Sequence, residues 1–292
     1  MRVSDAAIFD SNIAHVTRSR AELLKRQEQA VTGKRVLKPS DDPTATALAR
    51  RERSREVRAK AHQRAVGAGL TTNEASDAAL GQVGSVLRRV KELTIQAASD
   101  TLDASGRADI AREVEALREQ VRSLANTEVA GQYVFAGFAD GSAPFDASGA
   151  YLGDARVRQL EVARGIFVDA GVTGASAFGM GGGTDLFATL DALTTALDSN
   201  NVGTIRSSID SLDVAYQQVS SSRAQLGANV NALETARGVA ERVENRAITG
   251  QTDLVGVDTE RAYTDLSRAQ FALQAAVQVA SQLPYAGLVQ RG

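Results

Sequence analysis

Thr32-Gly33-Lys34-Arg35-Val36-Leu37-Lys38-Pro39-Ser40-Asp41-Asp42-Pro43 separates two helical patterns and carries both helix-end signals. Gly33 falls where a helix stops in the left-handed conformation that glycine adopts most cheaply. Asp42 can cap the next helix, because its carboxylate can accept from first-turn amide hydrogens that have no helical partner. Pro43 suits the first helical position, where its missing N–H is not needed. The stretch predicts a helix–loop–helix corner with Gly33, Asp42 and Pro43 as its determinants. Adjacent acids such as Asp41 and Asp42 can also serve acid–base chemistry, but the proline that follows favours capping.

On both sides of this corner the apolar residues recur at helical spacing. Val83, Leu87, Val90 and Ala97 form part of one stripe, and Ile110, Val114, Leu117, Val121 and Leu124 form another. A third runs through Ile205, Ile209, Leu212, Tyr216, Val219, Leu226, Val230, Leu233 and Ala240, with Arg223 and Arg237 as interruptions. Steps averaging 3.5 residues keep one seam facing a partner helix, the coiled-coil pattern. A continuous helix over 43–99 spans roughly 85 Å at 1.5 Å per residue, which makes a rod. The chain ends match each other: Phe9, Ile13, Val16, Leu23 and Ala30 near the start, and Ala262, Leu266, Ala269, Leu273, Ala276, Ala280 and Leu283 near the end. Alanines let helices approach closely but bury little area, so this pair is expected to be marginal alone and stable once neighbouring copies cover it.

The window 131–185 differs. Seven of the thirteen aromatic residues lie between 131 and 180, among glycines and short alternating runs such as Gln159-Leu160-Glu161-Val162-Ala163. This reads as short strands and turns. Gly179-Met180-Gly181-Gly182-Gly183 reads as a flexible hinge. It lacks the Lys-Ser/Thr of a phosphate loop. The fold class is therefore mainly α: a long helical rod with coiled-coil termini and a small β-rich insertion. The segments are 1–42 (terminal coiled coil), 43–130 (rod), 131–185 (outer β-rich domain), 186–252 (rod) and 253–292 (terminal coiled coil).

Composition narrows the chemistry. Of 292 residues 43% are hydrophobic but only 4% aromatic, with no Trp and no Cys. That favours alanine-rich helix packing and excludes disulfide and thiolate chemistry. The net charge of −2 gives no global attraction to nucleic acid or membrane. No apolar run is long enough to span a bilayer. The opening MRVSDAAIFDSNIAHVTRSR has no apolar h-region, so no cleaved signal peptide is expected. His15 and His62 are the only histidines and fall in polar surroundings, which leaves a metal site or Cys/His nucleophile unsupported. No catalytic serine motif or dinucleotide fingerprint occurs. The run 50–64 carries seven Lys/Arg against two Glu. Without interleaved aromatics it reads as a solvated or inter-subunit face rather than a nucleic-acid site.

Several wordings resemble a known family. TGKRVLKPSDDPTATALA, starting at Thr32, and RRVKELTIQAAS, starting at Arg88, resemble the N-terminal region of the flagellin superfamily, the rod proteins of bacterial flagella. Gly131-Gln132-Tyr133-Val134-Phe135-Ala136-Gly137, residues 151–172 and the helix TDLSRAQFALQAA from Thr264 resemble its hook–filament junction branch more than its filament branch.

The resemblance implies a structural, non-enzymatic protein without cofactor or metal. It would form a ring of subunits at the junction and leave the cell through the flagellar export apparatus without losing a leader. The implied partners are other copies of the chain, the first hook-associated protein, flagellin, an export chaperone and the export apparatus, with no nucleic acid and no membrane insertion. Candidate assembly or chaperone contacts are Ile13, Val16, Leu23, Leu266, Leu273, Val277 and Leu283. Two alternatives stay open: a minor filament flagellin, and an intracellular coiled-coil protein that binds nucleic acid through 50–64.

Overall fold

The computed structural model of the chain describes residues 2–180 and 182–281. Seven helices occur among them: α1 (Arg2–Thr32), α2 (Pro43–Ala97), α3 (Ala104–Ala125), α4 (Gly174–Phe178), α5 (Leu186–Asp198), α6 (Val202–Val255) and α7 (Thr259–Ser281). The fold is mainly helical, and α2 and α6 run for 55 and 54 residues. Side chains with short oxygens set several of the starts. Asp103 accepts from Gly106 N–H, Thr173 from Ser176 N–H and Asp185 from Ala188 N–H, each satisfying a first-turn donor that the helix cannot.

The chain forms two compact units, Met1–Val57 with Val243–Gly292, and Arg58–Arg242. The second holds the larger core. Val83, Leu87 and Val90 of α2, Ile110, Val114 and Val121 of α3, and Leu190, Leu193 and Leu197 of α5 are buried in one cluster with Ile205, Leu212, Val219 and Leu226 of α6. The stripes read from the sequence are these faces, with one difference. Neither Arg223 nor Arg237 interrupts the packed face of α6. Ser222 is the buried residue beside Arg223, which lies outside the seam and is bonded to Asp77 at 2.8 Å. Ala236 is the half-buried residue beside Arg237, which is exposed and bonded to Glu241.

Among the described residues four short strands lie in this unit. β1 (Glu128–Val129) and β2 (Gln132–Tyr133) pair antiparallel, as do β3 (Gln159–Ala163) and β4 (Ile166–Asp169). Alternation along the second hairpin sends Leu160, Val162 and Val168 toward Val66, Leu70 and Leu233, while Ile166 and Phe167 stay exposed. Phe135, Phe145 and Phe178 of the window 131–185 turn into the helical core, with Tyr151 packed against it, while Phe138 is exposed. Phe145 lies 5.1 Å from both Phe178 and Phe187 and 5.2 Å from Tyr151, ring centre to ring centre. The Tyr151 hydroxyl donates toward the carbonyls of Phe135 and Asp154 at 3.0 and 2.9 Å. Burial pushes its pKa up to about 12.

The glycine run after this segment begins in a packed position. Gly179 ends α4 with φ +92°, and a side-chain carbon there would collide with the Thr184 carbonyl. Its first residue is a packed corner that only glycine fits. A buried arginine, unmarked in the sequence, closes the other end of the helices. Arg107 donates to the carbonyls of Ala97 (2.9 Å) and Ser99 (2.8 Å) and to Asn200 Oδ1 (2.5 Å). Two carbonyls at the end of α2 thereby gain donors that the helix cannot supply.

Candidate functional site

The candidate site is the first unit: the corner between α1 and α2, the turn between α6 and α7, and the terminal helix pair. Gly33 has φ +67°, and its N–H donates to Gln29 O at 3.0 Å. The chain then lies against the α6–α7 turn. Lys34 and Gly256 form an antiparallel bridge; Arg35 N–H donates to Val255 O at 2.7 Å, and Val257 N–H to Gly33 O at 3.0 Å. Gln29 is buried and its Nε2 donates to Arg35 O at 2.7 Å. The two corners therefore hold each other through backbone bonds, and no apolar spacing in the sequence marks this pairing. The only local signal is Gly256 between Val255 and Val257, where a side-chain carbon would collide with Thr252 O.

The adjacent acids have separate roles. Asp41 Oδ2 accepts from the N–H groups of Leu37 (3.1 Å) and Lys38 (3.0 Å), and Oδ1 from Lys25 Nζ (3.1 Å). Asp42 Oδ1 accepts from Ala45 N–H at 2.9 Å, and Oδ2 from Arg35 Nη2 at 3.1 Å. Pro43 is the first residue of α2. The Lys38 amide and the Lys25 ammonium hold Asp41 below the usual carboxylate range. The Ala45 amide and the Arg35 guanidinium do the same for Asp42.

Helices α1 and α7 pack antiparallel, as the Lys34–Gly256 bridge and the Arg26–Asp265 pair at 3.4 Å require. On α1 the seam is Asn12, Val16, Ser19, Leu23, Arg26 and Ala30, all half-buried. Ile13 lies beside it and is exposed. On α7 Ala262 and Ala269 are buried, and Leu266, Leu273, Ala276 and Ala280 are half-buried. Val277 is exposed, and Leu283 lies outside the described residues. Among the described residues of this unit, Val36 is the only fully buried apolar side chain larger than alanine. Meanwhile large apolar groups face outward: Phe271 is 71% exposed, Tyr263 59% and Val31 86%. All seven Lys/Arg of 50–64 are exposed. Among the described residues no cluster of His, Asp or Glu could hold a metal ion, and no helix is long and apolar enough to cross a membrane.

The chain is similar to known proteins. The bacterial flagellin N-terminal helical region matches residues 3–140, and the bacterial flagellin C-terminal helical region matches residues 209–288. Flagellar hook-associated protein 3 of Salmonella typhimurium is 32% identical over 307 aligned positions, covering 94% of each chain. The chain belongs to the flagellar hook-associated protein 3 family. The protein of the same name from Escherichia coli gives the same identity and coverage. Two solved structures share the fold. A putative flagellar hook-associated protein from Vibrio parahaemolyticus superposes with a TM-score of 0.67 at 22% identity, over 74% of this chain and all of that one. Xanthomonas campestris FlgL gives 0.61 at 23% identity, over 70% and 99%.

Proposed function

We propose that the protein is a structural part of the bacterial flagellum that joins hook to filament as a ring of subunits. Its place in the flagellum is argued from the family. The observation that carries assembly is the first unit, which buries alanines while Phe271, Tyr263, Val277 and Val279 face outward. Covering such side chains is worth roughly 1.5–3 kcal/mol each, energy that a neighbouring copy can supply. The terminal pair is then the subunit contact, with Ile13, Val16, Leu23, Leu266, Leu273, Val277 and Leu283 as contact residues. The first hook-associated protein and flagellin are the neighbours above and below. The same apolar ends suit an export chaperone before the chain leaves through the flagellar export apparatus. The role is mechanical rather than catalytic. Residues 131–185 form the outer part and 43–130 with 186–252 the rod.

Deletion of the gene tests this reading. The mutant is expected to keep its hooks, lack attached filaments and release monomeric flagellin into the medium. Normal filaments on the mutant would instead favour a minor flagellin.

A further inference from the structure

The second unit does not have one continuous core. Its larger cluster begins on α2 at Ala79 and ends on α6 at Leu226. A separate, smaller cluster holds Val66, Leu70, Val162 and Leu233. Between the two, α2 buries polar residues instead, Asn73 and Ser76, both with no exposed surface. The facing stretch of α6 follows from the register. A side-chain carbon on Gly69 would touch Leu233, and Arg223 pairs with Asp77. The helices are therefore antiparallel, and Asn73, one turn past Gly69, lies level with Asn229, one turn before Leu233. Asn73 Nδ2 donates to Gly69 O at 2.8 Å, but its Oδ1 has no hydrogen-bond partner among the described residues. Nor does Asn229 Nδ2. Asn73 is buried and Asn229 half-buried, and unmet valences on enclosed amide atoms weaken the layer that contains them.

The same level is locally weak on both helices. On α2 it reads Gly67-Ala68-Gly69-Leu70-Thr71-Thr72-Asn73, and on α6 Gly227-Ala228-Asn229-Val230-Asn231. Glycine, threonine and asparagine are poor helix formers. Thr71, Thr72 and Ser76 each donate back to the carbonyl four residues earlier, at 3.2, 3.1 and 2.8 Å, a bond that loosens and bends helices. Packing does not require two of the glycines, since a side-chain carbon on Gly67 or Gly227 meets nothing within 4 Å. Thr72 also lines a cavity of about 60 Å³ with Tyr133, Asp140 and Arg158.

We propose that the Asn73–Asn229 layer is a joint in the α2–α6 pair. Residues 58–72 and 228–242, with the β3–β4 hairpin, open as a cooperative unit separate from the rest of Arg58–Arg242. The joint is a property of the isolated chain. Its use, to take up bending between a flexible hook and a stiffer filament, rests on the junction reading above.

Hydrogen exchange on the full-length monomer, read by mass spectrometry, tests the joint without reference to flagella. Amides of 62–72, 159–168 and 230–240 are expected to exchange together, at least about tenfold faster than those of 83–97, 110–121 and 205–219. Gly67→Ala with Gly227→Ala should slow exchange of the first group by about fivefold per substitution and leave the second group unchanged. Asn73→Leu with Asn229→Leu, which joins the two apolar clusters, should bring the first group to the rate of the second. Equal exchange across the whole unit would overturn the proposal. So would a double-alanine chain whose rates are unchanged, or slowed equally in both groups.

Discussion

Asp41 and Asp42 are neighbours with different tasks, and the difference can be tested separately for each. Asp42 is the cap of α2, so Asp42→Ala should leave Ala45 N–H without its acceptor and speed exchange of amides 44–46 by roughly three- to tenfold. Asp42→Asn should restore most of that protection, because asparagine caps as well as aspartate. Both carboxyls are held below their ordinary range, Asp41 first by the Lys38 amide and Asp42 first by the Ala45 amide. A depressed folded-state value stabilises the corner fully above the ordinary carboxylate range near 4. That stabilisation is lost as pH falls through the lowered folded values. An NMR titration should therefore show the Lys38 and Ala45 amides moving only well into acid, and Asp42→Asn should abolish the Ala45 transition. Transitions at the ordinary value would mean that the corner does not hold these carboxylates.

At the level of elements, the long helices were legible because their apolar steps repeat over many turns. The seams of α2 and α3 are those of Val83, Leu87 and Val90, and of Ile110, Val114 and Val121. Legibility failed where a small or polar residue occupied a seam position. Ser222 on α6 and Ser19 and Arg26 on α1 sit on packed faces that apolar counting cannot mark. It also failed for long-range polar closure. Arg107 reaches Asn200 across 93 residues, and the corner at Gly33 finds Val257 by backbone bonding alone. The corner's helix ends could be read because caps depend on local residue types, while the strand-like pairing that joins the two corners depends on tertiary placement. The α6 seam gives a direct contrast. Leu226→Ala removes a fully buried side chain and should cost about 2–5 kcal/mol in urea unfolding. Arg223→Ala breaks a solvent-exposed ion pair and should cost less than about 1 kcal/mol. Similar losses at the two positions would put Arg223 in the seam after all.

Across the whole molecule, the division of apolar surface separates a part that can hold itself together from a part that needs neighbours. The second unit buries Phe135, Phe145, Phe178 and Phe187 together with the leucines of α5. In the first, α7 buries only Ala262 and Ala269 fully, and Phe271 faces outward. Stability in a chain of this kind is not uniform, because local opening is governed by local burial. Amides of 10–30 and 260–280 are therefore expected to exchange within seconds in the free monomer, while those of 83–97 and 110–121 stay protected for far longer. Leu273 is half-buried on the weak pair, so Leu273→Asp should leave the thermal midpoint of the monomer nearly unchanged. In the assembled state the same carboxylate would face an apolar contact without a partner, a cost large enough to exclude the subunit. Cells carrying Leu273→Asp should then export the protein but fail to incorporate it, and should shed filaments like the deletion strain. Two results would defeat this account of the chain ends: terminal helices as protected in the monomer as α3, or a Leu273→Asp protein that assembles normally.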